Sequence, residues 1–153
     1  MRVTLHTKDN MLKLGRPSLD EGQFPEFGPG RVYDKVPRDG VILQIGSRRW
    51  RVNVHMEYED RYPMGGTVHF EETSEPETPF QPLEVREGYR PQGHFFGQPY
   101  FVQSPVGPEY NGEIVCLLQM IDSDWGDCGN ENLFLALDEN DIPVGLYHEC
   151  SCA

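Results

Sequence analysis

The chain has no long hydrophobic run. No apolar stretch approaches the ~18 residues that a bilayer-spanning helix needs, and no basic-then-apolar segment opens the sequence. The expectation is a soluble, cytoplasmic chain without a membrane partner. Positive charge is scarce too: 13 Lys and Arg face 25 Asp and Glu, for a formal charge of −12. That field repels nucleic acid and anionic lipid, and it steers basic partners inward. Cysteine is thin, with only Cys116, Cys128, Cys150 and Cys152. Cys116 lies in "EIVCLLQMI" and reads as a small buried hydrophobe. The C-x-C spacing of Cys150 and Cys152 is not that of a zinc knuckle, and no metal or cofactor is expected. Whether Cys128, Cys150 and Cys152 pair stays open.

Catalytic signatures are equally short. Ser47, Ser104 and Ser123 sit in no G-x-S-x-G elbow. The five histidines, His6, His55, His69, His94 and His148, show neither H-x-x-x-H nor H-x-H spacing, and no glycine-rich phosphate loop occurs. No residue set argues for an enzyme.

What is plentiful is turn chemistry, with 16 Gly and 13 Pro, and this points to many short strands. Residues 1–40 are read as an irregular arm or loops, on the strength of the Gly-, Pro- and charge-rich "GRPSLDEGQFPEFGPGRVYDKVPRDG". "VILQI" (41–45) and "RWRVNVHM" (49–56) form a hairpin. Trp50, Val52, Val54 and Met56 alternate with Arg49, Arg51, Asn53 and His55, the period of a half-buried strand. "GGTVHFEE" (65–72) adds a strand with Val68 and Phe70 on one face, which "TSEPETPFQP" (73–82) cannot continue because proline lacks the ladder donor. "LEVRE" (83–87) suits a further strand. "EIVCLLQMI" (113–121) and "NLFLAL" (132–137) suit strands buried on both faces. "DENDIP" (138–143) reads as a break with one helical turn, and "VGLYHEC" (144–150) as the last strand. Most of the aromatics after residue 94 belong in the core.

Between those two apolar strands lies "QMIDSDWGDCGNEN" (119–132). As a calcium loop starting at Asp122 it fails, because Gly126 and Asp127 occupy positions five and six and Leu133 occupies position twelve. As an acid/base pair it lacks any neighbouring His, Lys or Arg. An Asp- and Gly-rich turn is what a strand-to-strand connection needs for its own backbone.

Three pieces of the chain resemble the YwqG-like family, a bacterial domain of unknown function. They are "FFGQPYFVQ" (95–103), "IVCLLQMIDSDWGDCGNENLFLALDEND" (114–141) and "LYHECSC" (146–152). Here "DSD" runs straight into "WGD", where the family inserts several residues. The family is related to eukaryotic ribosome-assembly factors that chaperone a ribosomal protein, and its bacterial members occur beside polymorphic toxins. The resemblance implies non-catalytic binding of a basic protein, a toxin or a ribosomal-type protein, which agrees with the acidity.

The resulting expectation is a mostly β (β-rich α+β) fold of antiparallel sheets with short helical turns, a single compact domain. Residues 41–153 would be the YwqG-like domain. The candidate binding residues are Asp122, Asp124, Trp125, Asp127, Asn130 and Asp138. Two alternatives stand beside the binding role. One is a metal-dependent enzyme built on Asp122, Asp124 and Asp127, and the other is a phage-type inhibitor that mimics nucleic-acid charge.

Overall fold

The computed structural model describes residues 1–10, 13–17, 31–32, 39–59, 62–82, 93–96, 106–110, 112–120 and 130–151. The strands are β1 (Arg2–His6), β2 (Lys13–Pro17), β3 (Arg31–Val32), β4 (Val41–Ile45), β5 (Arg48–Glu59) and β6 (Tyr62–Glu72). After them come β7 (Gln81–Pro82), β8 (Gly93–Phe95), β9 (Val106–Glu109), β10 (Glu113–Met120), β11 (Asn130–Leu137) and β12 (Pro143–Ser151). They form a four-stranded sheet in the order β1-β6-β5-β4, a six-stranded sheet β12-β11-β10-β8-β3-β7, and a β2-β9 ribbon. Every pairing among the described residues is antiparallel. There is no helix among the described residues, so the fold is mostly β, as its turn-rich composition implies.

The four-stranded sheet follows its alternation closely. Val41, Leu43 and Ile45 of β4, Trp50, Val52, Val54 and Met56 of β5, and Val68 and Phe70 of β6 are all buried. Arg49, Arg51, Asn53 and His55 take the outer face, as a period of two requires. Trp50 and Phe70 meet edge to face, with centroids 6.0 Å apart at 78°, a geometry worth ~0.5–1.5 kcal/mol beyond area burial. The β4–β5 turn is Gly46-Ser47, and Gly46 has φ 62°. Two-residue hairpin turns need that positive φ, which glycine adopts without strain.

In the six-stranded sheet, both faces of β10 and β11 are buried. Val115, Leu117, Leu118, Leu133, Leu135, Leu137 and Leu146 join the first sheet's apolar residues in one core. On the other face, Cys116, Phe134 and Tyr147 form a second cluster. A β-bulge between Cys116 and Leu118 gives β10 one extra residue, which turns both Leu117 and Leu118 toward the core.

Two sequence readings need correction. Within residues 1–40, Arg2–His6 is a regular strand in full register with β6. Leu5 is buried and Val3 packs against the core, and two inward apolar residues are enough to hold so short a strand at a sheet edge. Residues 138–143 make a tight turn rather than a helical turn. The Asp138 amide donates to the Ile142 carbonyl at 2.9 Å and closes the reversal that β11 and β12 need. "TSEPETPFQP" does end β6, although Gln81–Pro82 returns as the two-residue β7. The expected strand at 83–87 lies outside the described residues.

Candidate functional site

Most of the predicted site also lies outside the described residues, namely Asp122, Asp124, Trp125 and Asp127. Asn130 opens β11, its backbone paired with Ser151. Asp138 lies past the opposite end of that strand, roughly 25 Å away at the usual rise per residue. The structure therefore does not bring Asn130 and Asp138 together.

Asp138 organises the β11–β12 turn. Its Oδ1 accepts the amides of Asn140 at 2.8 Å and Ile142 at 2.9 Å. That turn is tied to the β4–β5 turn of the other sheet. Asp141 Oδ2 accepts the Ser47 amide at 2.9 Å and the Ser47 hydroxyl at 2.8 Å. Arg48 Nε donates to the Asn140 carbonyl at 2.8 Å, and its Nη1 holds Glu72 Oε1 at 3.0 Å. Asp141 itself has φ 61°, a conformation that aspartate tolerates better than most residues. A Cβ added at Gly46 would come within 2.5 Å of the Asp141 carboxylate. The close approach of the two turns thus supplies a second reason for glycine there.

Beside this clamp opens a cleft of about 420 Å³ lined by Tyr110, Gly112, Glu113, Leu137, Asp138, Glu139 and Asp141. Four of these seven carry carboxylates and none is Lys, Arg or His. Tyr110 forms a wall, its hydroxyl donating to the Leu137 carbonyl at 3.0 Å. The two Ser47 donors, the amide first, hold the Asp141 carboxyl below the usual range, with a smaller contribution from Arg48. Glu113 is shifted the other way, chiefly by desolvation and secondly by the charge of Asp141. A site whose acids repel one another is stabilised by an incoming cation. An aromatic wall suits a guanidinium or ammonium group.

At the other end of the sheet lies a polar row that sequence reasoning missed. His94 on β8 is in register with Gln119 on β10, Gln119 with Asn132 on β11, and Asn132 with Glu149 on β12. All four are buried. Asn132 Nδ2 donates to Glu149 Oε2 at 2.9 Å, and the His94 Nδ1–H donates to the Phe96 carbonyl. Burial pushes the His94 pKa down, against the pull of its hydrogen bonds to the Phe96 backbone and the Gln119 side chain. On the core-side face, His148 Nε2 lies 3.1 Å from Glu131 Oε1. The signal was a set of polar residues inside apolar runs, such as Gln119 in "LLQMI". Two of the strands that carry the row, β10 and β11, flank residues 121–129 in the sequence.

Among the described residues, catalytic geometry is sparse. A hydroxyl–imidazole pair does occur, Thr4 Oγ1 to His69 Nδ1 at 3.0 Å, but on the exposed face of the first sheet and away from the cleft. Among the described residues, no group of three or more His, Cys, Asp or Glu is placed to hold a metal ion. Nor is any helix among them long and apolar enough to cross a membrane.

Fold and site together define an antiparallel β domain with an acidic cleft at the turn end of one sheet. No protein-family model, curated protein or solved structure matches the chain. The YwqG-like resemblance rests on its motif residues alone.

Proposed function

We propose that the chain is a non-catalytic acidic binding protein whose cleft receives basic side chains of a protein partner. The observation that carries this reading is the cleft lining, in which Glu113, Asp138, Glu139 and Asp141 meet beside Tyr110 and outnumber the neighbouring Arg48. The net charge of −12 supports it by drawing basic proteins toward the surface. The motif resemblance makes a toxin-neutralising or chaperone role the form we favour. In that role the chain covers a cationic surface and does no chemistry on it.

The test is isothermal titration against a panel of small basic proteins, cationic nucleases and ribosomal proteins included, with poly-lysine as a charge-only control. The site variant is Glu113→Gln with Glu139→Gln. Glu113 and Glu139 are both exposed, so these changes leave the fold intact. A true partner loses about tenfold or more in affinity, as expected for a lost charged contact, while poly-lysine binding changes little. If no basic protein binds at low salt, or if the double variant binds its partner unchanged, the reading is wrong.

A further inference from the structure

The face of β11 and β12 that packs into the core changes character toward one end. Leu135 and Leu146 face each other on it, then Leu133 and His148, then Glu131 and Cys150. The register is unbroken from Asn130 to Ala136, so these facing positions share one side of the sheet. Leu133, Leu135 and Leu146 belong to the main core. Beyond them the Glu131 side chain is 1% exposed and that of His148 8%, with His148 Nε2 3.1 Å from Glu131 Oε1. This end is the one away from the acidic cleft, which gathers around Leu137 and the 138–141 turn.

Position 150 sits directly across from Glu131 and two residues beyond His148 on the same strand. Facing positions in an antiparallel pair are about 5 Å apart, and alternate positions along a strand about 7 Å. Positions 131, 148 and 150 therefore make a compact triangle on one face.

We propose that Glu131, His148 and Cys150 hold a divalent transition-metal ion between β11 and β12, zinc foremost. A carboxylate, an imidazole and a thiolate are all donors that zinc accepts in its tetrahedral sites. The nitrogen and sulfur donors select against magnesium and calcium, which take oxygen. Two ligand atoms about 2.0–2.1 Å from a tetrahedral ion lie about 3.3 Å from each other, close to the Nε2–Oε1 separation. An ion there replaces the proton that otherwise joins the two groups. The described side chains by themselves form no group of three, and Cys150 enters as the third donor through its strand position. A solvent molecule takes the fourth position. Burial to this depth suits an ion rather than a substrate, so the site ties β11 to β12 and does no chemistry. The unfolded chain holds no such preformed site, and the binding energy adds to the stability of the fold.

The test uses the full chain, reduced and without an affinity tag, stripped with a chelator and titrated calorimetrically with zinc chloride or magnesium chloride. Zinc should bind at one ion per chain, magnesium should not displace it, and the melting temperature should rise with zinc concentration. Cobalt(II) in place of zinc should give a thiolate-to-metal charge-transfer band and the strong visible absorption of tetrahedral coordination. Cys150→Ser should lose that band, and Cys150→Ser and Glu131→Gln should each weaken zinc binding by about tenfold or more. Cys116→Ser, on the opposite face of the sheet, should keep both the band and the affinity. The cobalt spectrum of the parent chain needs no variant, so a failure of Glu131→Gln to fold leaves the test standing. A parent chain that takes up no zinc overturns the proposal. So does a cobalt complex without the thiolate band, or a Cys150→Ser variant that binds zinc as tightly as the parent.

Discussion

Asp141 concentrates the residue-scale logic of this protein. One carboxylate accepts two donors from Ser47 on the other sheet, which lowers its pKa from the ordinary value of 3.8. A depressed carboxylate pKa contributes stability that is fully present above the unfolded value. It is lost as pH falls through the folded one. Asp141→Asn can keep the same acceptor geometry without the charge. Melting temperatures measured from neutral pH downward should show the parent more stable at neutrality, with the gap narrowing below about pH 4. A gap that is constant across that range would mean that the Ser47 contacts do not stabilise the charged form. Gly46 completes the pair of turns, since its positive φ and the carboxylate beside it both exclude a side chain.

At the scale of strands, the polar row His94–Gln119–Asn132–Glu149 does what the apolar residues around it cannot. Apolar residues on both faces of β10 and β11 specify burial but discriminate poorly between registers. A slip of one residue would drive a buried carboxylate or amide into the leucine core. Asn132→Ala removes the donor to Glu149 and should cost about 1–3 kcal/mol in urea unfolding. Asn140→Ala, on the exposed turn, should stay within about 0.5 kcal/mol. Equal effects for the two would remove the row from any structural role.

Strands also differ in how plainly the sequence announces them. The β4–β5 hairpin and the inward Val68 and Phe70 follow from a period of two, and the doubly buried β10 and β11 from unbroken apolar runs. β1 escapes such a reading because five residues with two inward apolar side chains leave too faint a pattern. The cleft escapes it for another reason. Tyr110, Glu113 and the 138–141 turn are separated along the chain and meet only through the pairing of β10 with β11 and the turn beyond it. Of the two predicted site residues that are described, Asn130 and Asp138, it is Asp138 that lines the cleft. There its carboxylate also serves the turn backbone.

For the molecule as a whole, charge governs the response to solvent. A net −12 on 153 residues disfavours any compact state through self-repulsion. Raising ionic strength from about 0.01 M to about 0.15 M shortens the screening length from roughly 30 Å to roughly 8 Å. The melting temperature should therefore rise over that interval, even though exposed ion pairs such as Arg2–Glu71 at 3.9 Å weaken. A fall in the melting temperature would show that specific pairs outweigh the overall field.

Thr78 and Glu77 lie along the outer edge of β4 and accept the Ile42 and Gln44 amides. An open sheet edge can add strands without limit, and this is the geometry of fibrils. At β4 the protein's own chain occupies those donors, so growth of the sheet past β4 would first have to lift residues 77–78 away.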